Sequence, residues 1–216
     1  MPEREVGQRV ELDTPHGPAR AHLELAARPV AALVLGHGAG GGVRAPDLLA
    51  ASEAARSLRI SVALVEQPYV LAGRRSQPPP RQLDEAWVAV VQALRAGPLG
   101  SLALLIGGRS AGARVACRTA GELEPAGVLC LAFPLHPPGR GDDPAKSRLG
   151  ELDAVRVPTL VVQGERDPFG MPPPGPRRRV VRVAGTHSLR SGAAVGDAVR
   201  AWLGELTGRS GVRSAG

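Results

Sequence analysis

The chain has 216 residues, which suits one domain with a single hydrophobic core. It lacks an apolar run of the roughly 20 residues that span a bilayer, and its N-terminal segment, MPEREVGQRVELD, is charged where a secretory signal is apolar. We therefore expect a cytoplasmic protein with no membrane partner. The net charge of +7 invites a nucleic-acid partner, but the arginines are scattered and aromatic residues make up only 2 %, so we expect none.

Two short segments with alternating side chains open the chain, at residues 9–14 and 20–25. The intervening turn, PHGPA, predicts an antiparallel β-hairpin. Six continuous apolar runs follow, and such runs are typical of strands buried on both faces of a parallel sheet. They cover residues 31–35, 61–65, 102–106, 127–133, 159–163 and 180–183.

Helical periodicity separates these runs, most clearly in RQLDEAWVAVVQALRA, residues 81–96. Val195, Val199 and Trp202 repeat the same spacing near the C-terminus. Strands that alternate with helices predict a doubly wound α/β domain, with a mostly parallel sheet and an N-terminal antiparallel hairpin. We expect one domain over residues 1–207 and a disordered tail over residues 208–216.

A serine between glycines follows the run at 102–106. Residues 108–112, GRSAG, match the G-x-S-x-G turn that exposes a nucleophilic serine between a strand and a helix. Serine is also a favoured residue at the start of a helix, where its hydroxyl caps backbone N–H groups. The motif alone therefore leaves Ser110 as either a nucleophile or a helix cap.

Residues beyond other strands favour the nucleophile. Ligand sites of open parallel sheets lie beyond the carboxyl ends of the strands, and triads in this type of fold follow the chain order serine, acid, histidine. Of the five histidines, only His187 follows the late acids. Asp167, directly after the run at 159–163, is the candidate for the carboxylate that orients His187, and Glu165 is the alternative.

An oxyanion hole needs two backbone N–H groups. We expect them from Ala111, after the serine, and from Ala39, in the HGAG loop at 37–40. His37 is a candidate for substrate binding, although it can instead hold this loop by hydrogen bonds.

Arg75 and Arg109 are also candidates for substrate binding. Arg75, beside Arg74, lies in a loop whose charges can simply be solvated. Arg109 can face the pocket or pair with a nearby acid. No metal or cofactor is predicted, because Cys117 and Cys130 fall in a helix and a strand and are interpreted as small buried hydrophobes.

Several motifs together resemble the α/β-hydrolase superfamily: GHGAGGG, GGRSAGARVA, FPLHPPG, QGERDPFG and GTHSL. More narrowly, they are similar to the small lidless branch related to dienelactone hydrolases, which includes the hydrolase-like domains of testis-expressed and nonspecific-lethal-complex subunit proteins. The resemblance spans roughly residues 8–207. It implies an α/β-hydrolase fold without a lid domain and a serine hydrolase that acts on a small acyl substrate. A protein partner is possible but not indicated.

By the same resemblance, Ser110, Asp167 and His187 form the triad, and Ala39 and Ala111 form the oxyanion hole. The chain departs from many superfamily members because only 20 residues separate Asp167 from His187. The proline-rich segment MPPPGPRRR lies between them and cannot form a helix. We therefore expect this end of the sheet to be trimmed and the support of the triad to be looser.

Two alternatives remain open. Residues 36–41 match the dinucleotide fingerprint G-x-G-x-x-G, with Glu66 as the ribose ligand, although Glu66 is further along the chain than the usual spacing of about 20 residues. The other alternative is an interaction domain that keeps the fold but has no activity. The substrate and the oligomeric state are not predicted.

Overall fold

The computed structural model describes residues 7–40, 42–141 and 143–211. One mixed sheet of eight strands forms its centre, and its strands are β1 Gln8–Leu12, β2 Ala19–Glu24, β3 Ala31–Gly36, β4 Ile60–Glu66, β5 Leu104–Arg109, β6 Gly127–Leu131, β7 Thr159–Gly164 and β8 Arg178–Val183. The helices are α1 Pro46–Ser57, α2 Pro68–Leu71, α3 Pro80–Ala96, α4 Ala111–Leu123, α5 Leu149–Asp153 and α6 Gly192–Gly211.

The strand order is β1-β2-β4-β3-β5-β6-β7-β8. Strands β1 and β2 form an antiparallel hairpin, and β2 is also antiparallel to β4. All pairings from β4 to β8 are parallel. The predicted fold class is therefore confirmed.

Alternation along each central strand places the core on both faces of the sheet. In β3, Val34 packs in the cluster beneath α3 and α4, while Leu33 and Leu35 pack in the cluster beneath α1 and α6. Since both faces are covered by helices, strands such as β3 carry no polar side chains in their interior. This explains the continuous apolar runs of the sequence.

Two connections at the C-terminal half of the sheet contain little helix. Residues 165–177 join β7 to β8 without a helix, as the prolines predict. Between β6 and β7, the described residues contain only the 3₁₀ turn Pro144–Lys146 and the five-residue α5, so no lid covers the carboxyl edge of the sheet.

The C-terminal boundary differs from the prediction. Helix α6 continues to Gly211, so the expected disordered tail does not begin at residue 208. Residues 212–216 of that expected tail lie outside the described residues. No helix in the described part of the chain is long and apolar enough to cross a membrane.

Candidate active site

Ser110 occupies the sharp turn between β5 and α4. Its backbone has φ 53° and ψ −110°, a conformation that residues with a Cβ rarely adopt. The turn is held by a hydrogen bond from the Ser110 N–H to the Leu131 carbonyl, 2.8 Å long. The Ser110 side chain caps no N–H group of α4, so the helix-cap interpretation is wrong.

The glycines on either side of Ser110 are required by close backbone contacts. A Cβ on Gly108 would lie 2.6 Å from the Gly36 carbonyl oxygen, and one on Gly112 would lie 2.5 Å from the same atom. Both distances are far inside van der Waals contact. The two glycines therefore let β5 and α4 pack directly against the end of β3.

His187 joins Ser110 and Asp167 in one hydrogen-bonded chain. Its Nε2 lies 2.9 Å from Ser110 Oγ, and its Nδ1 lies 2.8 Å from Asp167 Oδ2. Because a carboxylate only accepts, Nδ1 carries the proton and Nε2 is free to accept the hydroxyl proton of Ser110. The structure thus brings together the three side chains that the chain order selected.

Asp167 is held by more than His187. Its side chain is only 1 % exposed, and its two oxygens accept hydrogen bonds from the Phe169 N–H at 2.9 Å and from Gln163 Nε2 at 2.9 Å. The Phe169 ring packs on the imidazole of His187, with ring centroids 4.3 Å apart. Glu165, the alternative acid, is exposed, and the ring nitrogens of His187 bond Asp167 and Ser110 instead.

Backbone hydrogen bonds join the loops that carry the acid and the histidine. The Arg166 N–H donates to the Gly185 carbonyl at 3.0 Å, and the Glu165 N–H donates to the Val183 carbonyl at 2.9 Å. A helix is therefore not needed to align them. These contacts do not show the looser support of Asp167 and His187 that the sequence predicts.

The loop after β3 is anchored by His37 and Tyr69. His37 Nδ1 donates to the Gly38 carbonyl at 2.7 Å, and its Nε2 accepts from the Gln67 N–H at 3.1 Å. The Tyr69 hydroxyl donates to the Ala39 carbonyl at 3.1 Å. Burial lowers the pKa of His37, which keeps the imidazole neutral in this arrangement. Both ring nitrogens are occupied, so His37 holds the loop and offers a substrate no hydrogen-bonding group.

Ala39 and Ala111 lie on the two loops that flank Ser110. In the part of the chain that the structure describes, neither backbone N–H donates to a protein acceptor. Gly38, beside Ala39, approaches Ser110 closely, because a Cβ at position 38 would lie 3.5 Å from the Ser110 Cβ. This arrangement is compatible with two donors that converge on a carbonyl oxygen at Ser110.

The two arginines have different surroundings. Arg109 pairs with Asp47, with Nε 2.8 Å from Oδ2, and its Nη2 donates to the His187 carbonyl at 3.1 Å. It therefore pairs with an acid instead of facing the pocket. Arg75 is exposed, like Arg74, and makes no ion pair with any described residue.

A narrow crevice of about 10 Å³ lies beside Ala111. Leu83, Trp87 and Val115 give it an apolar wall. Gln77, two residues after Arg75, also lines it, so the loop between α2 and α3 reaches the site. The crevice has room for about one water-sized group.

Four supporting residues were not identified from the sequence: Asp47, Tyr69, Phe169 and Gln163. Gln163 gave a signal, because a glutamine in the apolar run TLVVQ is buried and needs hydrogen-bond partners. Asp47 resembles an ordinary acidic residue in the first turn of a helix. Its role depends on a partner 62 residues away.

Comparison with known proteins identifies the family. A model of the alpha/beta hydrolase domain matches residues 29–189, which is well over half of the chain. The chain belongs to the α/β-hydrolase family. A search of curated protein sequences finds no match.

Solved structures of similar proteins have the same fold as this α/β hydrolase. XC6422 from Xanthomonas campestris, described as an a/b serine hydrolase without lid, is 24 % identical, with 92 % of this chain and 95 % of that chain covered and a TM-score of 0.69. Est1E from Butyrivibrio proteoclasticus is 14 % identical, with coverages of 93 % and 98 % and a TM-score of 0.73.

A dienelactone hydrolase from Anabaena variabilis is 16 % identical, with coverages of 92 % and 96 % and a TM-score of 0.69. At these identities the three likenesses bear on the fold alone. XC6422, described as lacking a lid, agrees with the architecture seen here. The dinucleotide alternative fits poorly with this family, and Glu66, its ribose ligand, is instead bonded to His22 at 2.9 Å.

Proposed function

We propose that this α/β hydrolase is a serine hydrolase that cleaves small esters, thioesters or related acyl compounds through an acyl-enzyme. The observation that carries the proposal is the continuous chain from Ser110 Oγ through His187 to Asp167, with distances of 2.9 and 2.8 Å. Both distances are within the range needed for proton transfer by a general base.

In the first half of the reaction, Ser110 Oγ attacks the carbonyl carbon while His187 Nε2 takes the hydroxyl proton. The carbonyl π electrons move onto the oxygen, where the N–H groups of Ala39 and Ala111 stabilise the negative charge. When this intermediate collapses, the bond to the leaving alcohol or thiol breaks, and the leaving group takes the proton from His187.

Water completes the reaction. His187 takes a proton from a water molecule as the water oxygen attacks the acyl carbon. When this second tetrahedral intermediate collapses, the proton returns to Ser110 and the acid is released. Asp167 stays ionised and stabilises the imidazolium that forms twice. The hydrogen bonds from Gln163 and Phe169 hold the Asp167 carboxylate in position beside His187.

The open site favours a short acyl group. Within residues 7–40, 42–141 and 143–211 no lid covers the carboxyl edge of the sheet, and the crevice beside Ala111 is small. A long acyl chain would therefore remain largely in solvent and gain little from burial.

A fluorophosphonate probe tests the proposal directly. We expect the folded protein to be labelled stoichiometrically, with the adduct on the peptide that contains Ser110, and heat-denatured protein to remain unlabelled. Folded protein that neither reacts with the probe nor hydrolyses p-nitrophenyl acetate would instead be the inactive interaction domain.

A further inference from the structure

The guanidinium of Arg109 lies where three loops of the site meet. Its Nε is 2.8 Å from Asp47 Oδ2, near the start of α1, and its Nη2 is 3.1 Å from the carbonyl oxygen of His187. It also packs against the loop after β3, since a Cβ on Gly38 would lie 2.9 Å from Nη1. Arg109 itself directly precedes Ser110, so one residue joins the serine turn to the His187 loop and to the loop after β3.

Asp47 makes this arrangement rigid. Its side chain is fully buried, and its second oxygen accepts the Leu48 N–H at 2.9 Å. Burial raises the pKa of Asp47, whereas the charge of Arg109 opposes that rise. The carboxylate therefore depends on Arg109 as its counter-ion, and in return it fixes the orientation of the guanidinium.

Stability alone does not account for such a pair. A buried ion pair is often no better for folding than apolar side chains of the same shape, because both charges must leave water. A charged pair is, however, well suited to fixing geometry. Here the Arg109–Asp47 pair fixes the position of the His187 backbone.

The loop that carries His187 needs such a contact. It connects β8 to α6, and its backbone contacts with the loop of Asp167 are made at Val183 and Gly185, before His187 is reached. The His187 side chain is 19 % exposed, and its Nε2 must stay within hydrogen-bond distance of Ser110. The bond from Arg109 is the one side-chain hydrogen bond to the His187 backbone among the described residues.

We propose that Arg109, oriented by Asp47, is a positioning residue that keeps the His187 imidazole aligned with Ser110. This inference rests on the proposed function. Arg109 is the variable residue before the serine in the G-x-S-x-G motif, and the inference gives it a role in orienting His187. Loss of the contact should lower kcat and leave KM nearly unchanged, because Arg109 does not line the pocket.

The decisive variant removes both charges, Asp47→Asn with Arg109→Met. It leaves no uncompensated buried charge, so we expect a melting temperature within a few degrees of that of the unaltered protein. We expect kcat on p-nitrophenyl acetate to fall 10- to 100-fold, with KM within threefold. Arg118→Met is a control for the loss of a half-buried arginine, since Arg118 is equally buried and pairs with Asp84 at 2.6 and 2.8 Å and with Glu151 at 3.4 Å.

Arg109→Lys gives a second test if the double variant does not fold. A lysine retains the charge beside Asp47, but its single ammonium cannot span both Asp47 and the His187 carbonyl as the forked guanidinium does. We expect near-normal stability and the same loss of kcat. A kcat within twofold of the unaltered value in the folded double or lysine variant would overturn the inference.

A spectroscopic reading separates this inference from the proposed function. The proton between His187 Nδ1 and Asp167 should give a sharp low-field ¹H resonance in the unaltered protein and in Arg118→Met. It should broaden or disappear in the double variant. An unchanged resonance would overturn the positioning role even in a protein that hydrolyses no ester, whereas an inactive protein that shows the expected difference would contradict only the proposed function.

Discussion

His187 Nε2 lies 2.9 Å from Ser110 Oγ, although the two residues are 77 positions apart in the chain. The contact exists because β5 and β8 run in the same direction, so that the loops after both strands meet at the carboxyl edge of the sheet. The reactivity of Ser110 should therefore depend on side chains from several separate loops.

Ser110→Ala should lower kcat on p-nitrophenyl acetate by a factor on the order of 10⁴ to 10⁶, the range found when triad members are removed. Fluorophosphonate labelling should disappear, while the melting temperature should change by only a few degrees because the Cβ is retained. Ser188→Ala, next to His187, is the control and should be labelled normally. Near-normal hydrolysis by the Ser110 variant would refute the assignment.

Asp167→Asn should lower kcat by about 10⁴, because an amide cannot hold His187 in the required tautomer. Glu165→Gln, two residues earlier and exposed, should retain nearly full activity. Steady-state kinetics of the two variants decide between the acids. If the losses were exchanged, Glu165 would be the orienting carboxylate.

Tyr69→Phe should lower kcat about tenfold and destabilise the fold by about 1 kcal/mol, the usual effect of losing one buried hydrogen bond. The lost bond is the one to the Ala39 carbonyl, which holds the loop after β3 next to Ser110. Kinetics and urea unfolding of the same sample separate the two effects. Full kcat in a variant that has lost stability would contradict a role in the oxyanion hole.

Short p-nitrophenyl esters should be preferred, with kcat/KM highest for acetate or butyrate. A fully buried methylene group contributes roughly 0.8 kcal/mol, so eight more carbons would gain about 6 kcal/mol in a closed tunnel. At the open edge of the sheet most of the acyl chain stays in solvent, so only a small fraction of this free energy is gained. A tenfold preference for decanoate over acetate would show that a segment, such as the loop that contains Arg75, folds over the site.

The free energy of unfolding should decrease as the pH falls below about 6.5, in part through His37. Burial lowers the pKa of His37 in the folded state, so the unfolded chain binds a proton first as the pH falls. The contribution of His37 to the free energy of unfolding is therefore fully present above the pKa that His37 has in the unfolded chain, and it is lost in acid. Urea unfolding at pH 5 and pH 8 gives the change in the free energy of unfolding between the two pH values. This change should be smaller for His37→Asn than for the unaltered protein, and an equal change would contradict this account.

The sequence predicted the fold well because its signals are local. Continuous apolar runs, proline-rich turns and the glycines around Ser110 each reflect the packing of a single segment. The supporting contacts could not be predicted in the same way. The Arg109–Asp47 pair joins residues 62 positions apart, and Tyr69 and Gln163 act through bonds that exist only once the loops have converged. The expected start of the tail, residue 208, falls within α6, which continues to Gly211.

Because of the unusual backbone at Ser110, thermal stability and catalysis favour different residues at this position. A residue with a Cβ at φ 53° costs on the order of 1–3 kcal/mol, a sizeable part of the roughly 5–15 kcal/mol that stabilises a typical domain. Glycine would relieve this cost and would also remove the hydroxyl. Selection for thermal stability alone would therefore favour glycine at residue 110, whereas selection for hydrolysis would keep the less stable serine.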